Sequence, residues 1–124
     1  MNLKELWNKA IEEHNALEYH EAHELFEDLW LELNDRREKD IVQTLAQADA
    51  LAVHIKTGNI GAAQRLMRQL PELVQTFPPD HNGIDLREMK VWINQMISDI
   101  PPVGEFPEMG LDHPEPPKLT QSRS

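Results

Sequence analysis

Residues 37–56 read REKDIVQTLAQADALAVHIK, and this stretch decides the fold. Ile41, Val42, Leu45, Ala46, Ala48, Leu51, Ala52, Val53 and Ile55 recur at helical steps and cover well over half of a helix circumference. A helix apolar on so many sides is predicted to lie at the centre, with others packed around it. Asp35 and Glu38 at its start have capping-box spacing. Gly58 and Asn59 at its end supply a left-handed stop and a cap for the next helix.

Upstream, Leu3, Leu6, Trp7, Ala10, Ile11 and His14 predict a helix over 3–14, with Asn2 and Glu5 as a second capping box. Ala22, Leu25, Phe26, Leu29 and Leu33 predict another over 18–33. Downstream, Ile60, Ala63, Leu66, Met67, Leu70, Leu73 and Val74 predict a fourth over about 60–75, which Pro71 should bend or split. PPDHNG at 78–83 reads as a turn-rich connector. Asp85 and Glu88 then cap a fifth helix to about Ser98, with Leu86, Met89, Trp92, Ile93, Met96 and Ile97 facing inward.

No strand pattern competes with these helices. The expected fold is therefore all-α: a compact antiparallel five-helix domain of helical hairpins over residues 1–99, joined by short loops. Residues 100–124 hold six of the nine prolines and predict an irregular tail, extended over the domain or disordered. Phe106, Met109 and Leu111 are its candidate anchors. Three scattered apolar residues bury little against the entropy of ordering a tail, which favours disorder.

At 124 residues the chain holds one core, and the lack of Cys removes disulfide frameworks, Cys-ligated metals and cysteine nucleophiles. The net charge of −10 is concentrated: residues 1–35 carry ten acidic and two basic side chains, a net of −8. Such a chain repels a phosphate backbone, so no nucleic acid is expected as partner; Arg36, Arg37 and Lys39 form only a short basic patch. The first residues lack the basic and apolar regions of a signal peptide, and no apolar run approaches the ~20 residues of a membrane span. A cytoplasmic protein with no membrane partner is the expectation.

Tyr19-His-Glu-Ala-His-Glu-Leu-Phe-Glu-Asp-Leu-Trp30, then Gln47 and His54, then Gly58-Asn59-Ile-Gly61-Ala62 and Gly83-Ile84-Asp85 together resemble the domain of unknown function 309. The family pattern runs roughly Asn-x-Gly-x-Tyr-x-Glu-Ala-His-Glu-x-Leu-Glu-x-x-Trp, with Gly-Leu-Ile-Gln, a helix ending in His and Gly-Asn-x-x-Gly-Ala after it. The resemblance covers approximately residues 15–75 and reaches 85 with the Gly-Ile-Asp element. It implies a small all-α domain and brings no activity with it. The family's polar positions fall on Tyr19, Glu21, His23, Glu24, Glu27, Trp30, Gln47, His54 and Asn59. Thr44 stands where the family has Gly, and Asp49 where a small apolar residue is usual, so a family-wide pocket would be reshaped here.

Four- and three-residue spacings put His23, Glu27 and Trp30 on one flank of the second helix, while Gln43, Gln47, Ala50 and His54 line a polar strip of the third. Where these flanks meet, His23, Glu27, Gln47 and His54 would converge, with Tyr19 offering its hydroxyl and Glu24 and Asn59 as further polar candidates. One reading is a divalent-metal site on His23, Glu27 and His54, although His20-Glu21-Ala22-His23 spaces its imidazoles by three rather than the stronger four. A second is acid–base catalysis by His23 or His54 with Glu27 orienting the ring. The bland alternative is a hydrogen-bonded structural network, and the residues favour it. Asp49 projects from the apolar face, so it should meet water, a histidine or a basic side chain. His14 reads as a helix-end dipole partner, His81 and His113 as exposed. Trp7, Trp30 and Trp92 read as core.

The leading expectation is a non-catalytic protein-interaction or scaffolding module with an acidic face, needing no cofactor, whose partner is another protein or a second copy. The alternative is a small metal-dependent or acid–base, hydrolase-like enzyme using the interhelical His/Glu cluster.

Overall fold

The computed structural model describes residues 1–104 and 113–122. Along the chain run α1 (Leu3–Asn15), α2 (Tyr19–Glu32), α3 (Arg36–Thr57), α4 (Ile60–Leu66), α5 (Leu70–Gln75), β1 (Asp80–His81), β2 (Ile84–Asp85), α6 (Arg87–Asp99) and β3 (Thr120–Gln121). Three of the four expected caps form: Asn2 accepts the Glu5 amide at 2.8 Å, Asp35 the Glu38 amide at 3.0 Å and Asn59 the Ala62 amide at 3.2 Å. Each satisfies a donor that the first helical turn leaves unpaired. The α6 helix instead has Leu86 at its N-cap and starts without the expected Asp85–Glu88 cap.

The α3 helix is central, packing against α2, α4 and α5, while α2 is sandwiched between α1 and α3. Phe26, Leu45, Leu51, Leu70, Leu86 and Ile93 are fully buried in one continuous core. Thr44 is also buried; its hydroxyl donates to the Asp40 carbonyl at 2.7 Å, one turn back, so its polar atom is not stranded in the helix interface.

The fourth helix splits at Pro71, one of the two outcomes expected there, and the chain departs from the expectation at the 78–83 connector. The fourth predicted helix is two, α4 and α5, because Pro71 has no amide to continue the ladder and instead sits in the first turn of a new helix. The connector at 78–83 is a hairpin: Asn82 at φ 48° and Gly83 at φ 79° make a two-residue turn between β1 and β2, pairing His81 with Ile84. β3 adds antiparallel to β2, with Ile84 opposite Gln121, and closes a three-stranded sheet in the order β1-β2-β3. Asp85 therefore belongs to β2, and its carboxylate accepts the Arg87 amide at 2.9 Å and pairs with the guanidinium at 2.7 Å. Residues 113–122 are laid against the domain and end in β3; the candidate anchors Phe106, Met109 and Leu111 lie outside the described residues.

Two left-handed residues have opposite chemistry. Gly58 ends α3 at φ 74°, whereas Leu17, in the α1–α2 turn, adopts φ 65° and is 42% exposed. A Cβ in this region costs ~1–2 kcal/mol. Gly58→Ala is expected to lower stability by about 1 kcal/mol, and Leu17→Gly to leave it unchanged or raise it by up to about 1 kcal/mol once the glycine's chain entropy is counted. Urea denaturation of the two variants beside the parent measures both.

Candidate functional site

The flanks of α2 and α3 meet as the helical spacing predicts, and they bring together His23, Glu27, Trp30 and Gln47. These residues, with Leu31, Gln43 and Ala46, line a groove of about 270 Å³. His23 is fixed at both ends: Nδ1 donates to the Ala46 carbonyl at 2.8 Å, and Nε2 faces Glu27 Oε1 at 2.7 Å. Trp30 is clamped by Lys39, whose ammonium lies 3.8 Å from the ring centroid and donates to the Trp30 carbonyl at 2.6 Å. Gln47 donates to Gln69 Oε1 at 2.8 Å. Two buried polar atoms at the groove, Trp30 Nε1 and Gln47 Oε1, have no hydrogen-bond partner among the described residues.

The other candidates lie elsewhere. His54 does not line the groove; burial holds its imidazole below the usual value, and the His23 and Arg65 charges push the same way. Glu24 faces His20 at 3.1 Å on the exposed side of α2, and Asn59 is a helix cap. Tyr19 packs against His14, with ring centroids 5.5 Å apart, rather than joining the His23 cluster. Among the described residues no group of three or more His, Asp or Glu side chains is placed to hold a metal ion. His81 and His113 are not exposed as expected. The first is half-buried edge-on to Trp7, where burial lowers its pKa, and the second reaches Asp99 at 3.5 Å.

A second polar cluster is one that helical periodicity does not indicate. His14, expected to serve the α1 dipole, is buried and faces Asp49 of α3, Nδ1 to Oδ1 at 2.5 Å, while Nε2 meets the Pro117 carbonyl at 2.8 Å. A carbonyl only accepts, so Nε2 is a donor, and the Nδ1–Oδ1 contact requires one further proton shared by the pair. Asp49 thus meets a histidine, one of the partners its sequence position demands. Burial pushes the Asp49 carboxyl up, and His14 only partly offsets this. Burial alone would lower His14, but the Asp49 hydrogen bond and charge, with the Pro117 carbonyl, outweigh it and raise the imidazole above 6.5. The Tyr19 hydroxyl beside them is pushed up to about 12 by burial, then by the Glu115 and Asp49 charges.

These directions set a pH dependence. A histidine raised by folding stabilises fully below its unfolded value of 6.5 and loses that contribution as pH rises through its higher folded value. The raised Asp49 acts in the same sense. Asp85, drawn down to about 2 first by its side-chain hydrogen bond with Arg87, shapes the acid limb: its contribution is present above 3.8 and is lost as pH falls toward 2. The thermal midpoint is expected to fall from pH 6.5 into the alkaline range, and that fall to flatten in a His14→Leu/Asp49→Leu variant. An alkaline limb of equal slope in parent and variant would assign it to other groups.

No helix among the described residues is long and apolar enough to cross a membrane. No curated protein matches the chain. A family model described as a domain of unknown function (DUF309) matches residues 7–66, which run from α1 through α4 and contain both the α2–α3 groove and the His14–Asp49 pair. Over residues 7–66 the chain matches the DUF309 family.

Proposed function

We propose that this protein is a non-catalytic interaction module whose α2–α3 groove holds a basic, amphipathic segment of a partner protein. The observation that carries this reading is the pairing of unmet polarity with exposed apolar surface. Trp30 Nε1 and Gln47 Oε1 are buried without partners among the described residues, beside Leu31, which is 69% exposed. A segment that packs on Leu31 and supplies an acceptor and a donor relieves both atoms. The charge of the partner follows from the surroundings: Glu18, Glu21, Glu24, Glu27 and Asp28 are exposed on and just before α2, a field that attracts cationic segments and repels a second copy of this acidic chain.

His23 supports the same reading over acid–base or metal chemistry. General-base catalysis or metal ligation needs a ring nitrogen with a free lone pair, and both His23 nitrogens are engaged with oxygen acceptors. His23 then serves to hold α2 on α3 and to present Glu27.

Selection of a displayed peptide library on the full chain, with Leu31→Asp protein as counter-target, tests the proposal. The expected winners carry Lys or Arg around aliphatic residues spaced three and four apart, and bind Leu31→Asp at least tenfold more weakly. Stability should stay within about 0.5 kcal/mol of the parent because the site is on the surface. Winners without basic residues, or equal binding by Leu31→Asp, would sink it.

A further inference from the structure

The tail segment 113–122 is held chiefly through its main chain. The Trp92 indole N–H donates to the Pro114 carbonyl at 2.9 Å and His14 Nε2 to the Pro117 carbonyl at 2.8 Å. The Asn15 carboxamide takes both main-chain groups of Leu119, accepting its N–H at 2.7 Å and donating to its carbonyl at 2.8 Å. Beyond this, β3 pairs with β2, and the Ser122 amide donates to the Gly83 carbonyl at 2.8 Å. Within 113–122 only Pro116 and Leu119 are buried; Glu115 and Lys118 are exposed. An aromatic N–H on a carbonyl, a slot for one proline and a pocket for one aliphatic side chain are the elements by which grooves recognise extended proline-rich peptides.

The tail fills this groove incompletely. About 250 Å³ remains between the segment and Tyr19, Ile55, Lys56 and Trp92. Tyr19 lines that space; its hydroxyl is buried and without a partner among the described residues, and Asp49 Oδ2 next to His14 is likewise unpaired. A buried donor left unpaired weakens the fit of the segment that leaves it so.

We infer that this groove is a peptide-binding site for an extended proline-rich segment of a partner protein, of the form Pro-x-x-Leu, and that residues 113–122 occupy it as an internal competitor. The spacing is that of Pro116 and Leu119, the two side chains that the groove reads. A partner segment that brings an acceptor to the Tyr19 hydroxyl outcompetes the tail. None of the residues involved lines the α2–α3 groove, so the two sites stand or fall separately.

The test uses the full chain with Leu119→Asp, which removes the tail's aliphatic anchor and leaves the Trp92, His14 and Asn15 groups intact. The probe is a fluorescein-labelled peptide of residues 113–122, followed by anisotropy and by the Trp92 indole signal in NMR. Leu119→Asp protein is expected to bind the probe at least tenfold more tightly than the parent, whose site is already occupied. Addition of peptide should return the Trp92 indole signal to its parental position. A probe with serine at the positions of Pro116 and Leu119 should bind at least tenfold more weakly. Circular dichroism verifies the fold, and Pro116→Ser in the full chain is the second variant if Leu119→Asp does not fold. Equal binding by parent and a folded tail variant, or binding indifferent to the proline and leucine, overturns the inference. Conversion of the parent to a dimer with exchanged tails, seen by light scattering, also overturns it and assigns the groove to a second copy.

Discussion

Asp49→Ala is expected to destabilise the protein by about 3–5 kcal/mol, the usual range for removing one partner of a buried, strongly hydrogen-bonded ionisable pair. With His14 2% and Asp49 1% exposed, no solvent is at hand to replace the lost partner. The Pro117 carbonyl keeps Nε2 as a donor, so His14 is left either charged in an apolar interior or with Nδ1 facing a void. The damage reaches three segments at once, because the pair joins α1 to α3 and His14 in turn holds the tail. Replacing both partners with leucine removes the uncompensated polarity and is expected to recover most of the loss. Urea denaturation at pH 7 of the two single variants and the double variant measures this directly; additive losses would show that the residues do not act as a pair.

Phe26→Ala is expected to cost a similar ~3–5 kcal/mol by a different route. Phe26 is fully buried on α2, meets the Trp7 ring edge-on at 6.1 Å and belongs to the core shared by α1, α2 and α3. Truncation removes its transfer energy and leaves a void that three helices bounded on several sides cannot close. Phe26→Leu should recover much of the loss, because it restores most of the volume. The denaturation midpoints of both variants report it, and a loss near 1 kcal/mol for Phe26→Ala would mean that the neighbouring helices close onto α2 and fill the void.

These two sites also show what was legible in the sequence. Phe26 announces itself, since the α2 stripe of Ala22, Phe26, Leu29 and Leu33 repeats at helical steps and any helix carrying it must bury that face. His14 and Asp49 announce only their faces: periodicity assigns each to the inward side of its helix and says nothing of which inward residue opposes which across 35 positions. The Asn82-Gly83 turn was readable as a hairpin signal, but strands of two residues carry no alternation to support it. The seat of the tail was invisible for a different reason. Side-chain composition predicts burial of side chains, whereas this segment is held chiefly by main-chain carbonyls and the Leu119 amide, which side-chain patterning does not reveal. For the groove, the spacing of His23, Glu27 and Trp30 was sufficient to place them on one flank, while the exclusion of His54 depends on how far along α3 the contact with α2 extends.

The most direct test of the recognition groove is an NMR titration of the full chain with a library-selected basic peptide. The account predicts amide shifts concentrated at His23, Leu31 and Gln43, a Trp30 indole proton that moves downfield as it gains an acceptor, and a perturbed Gln47 carboxamide. Saturable shifts centred elsewhere, with the Trp30 indole and Gln47 signals unmoved, would contradict it.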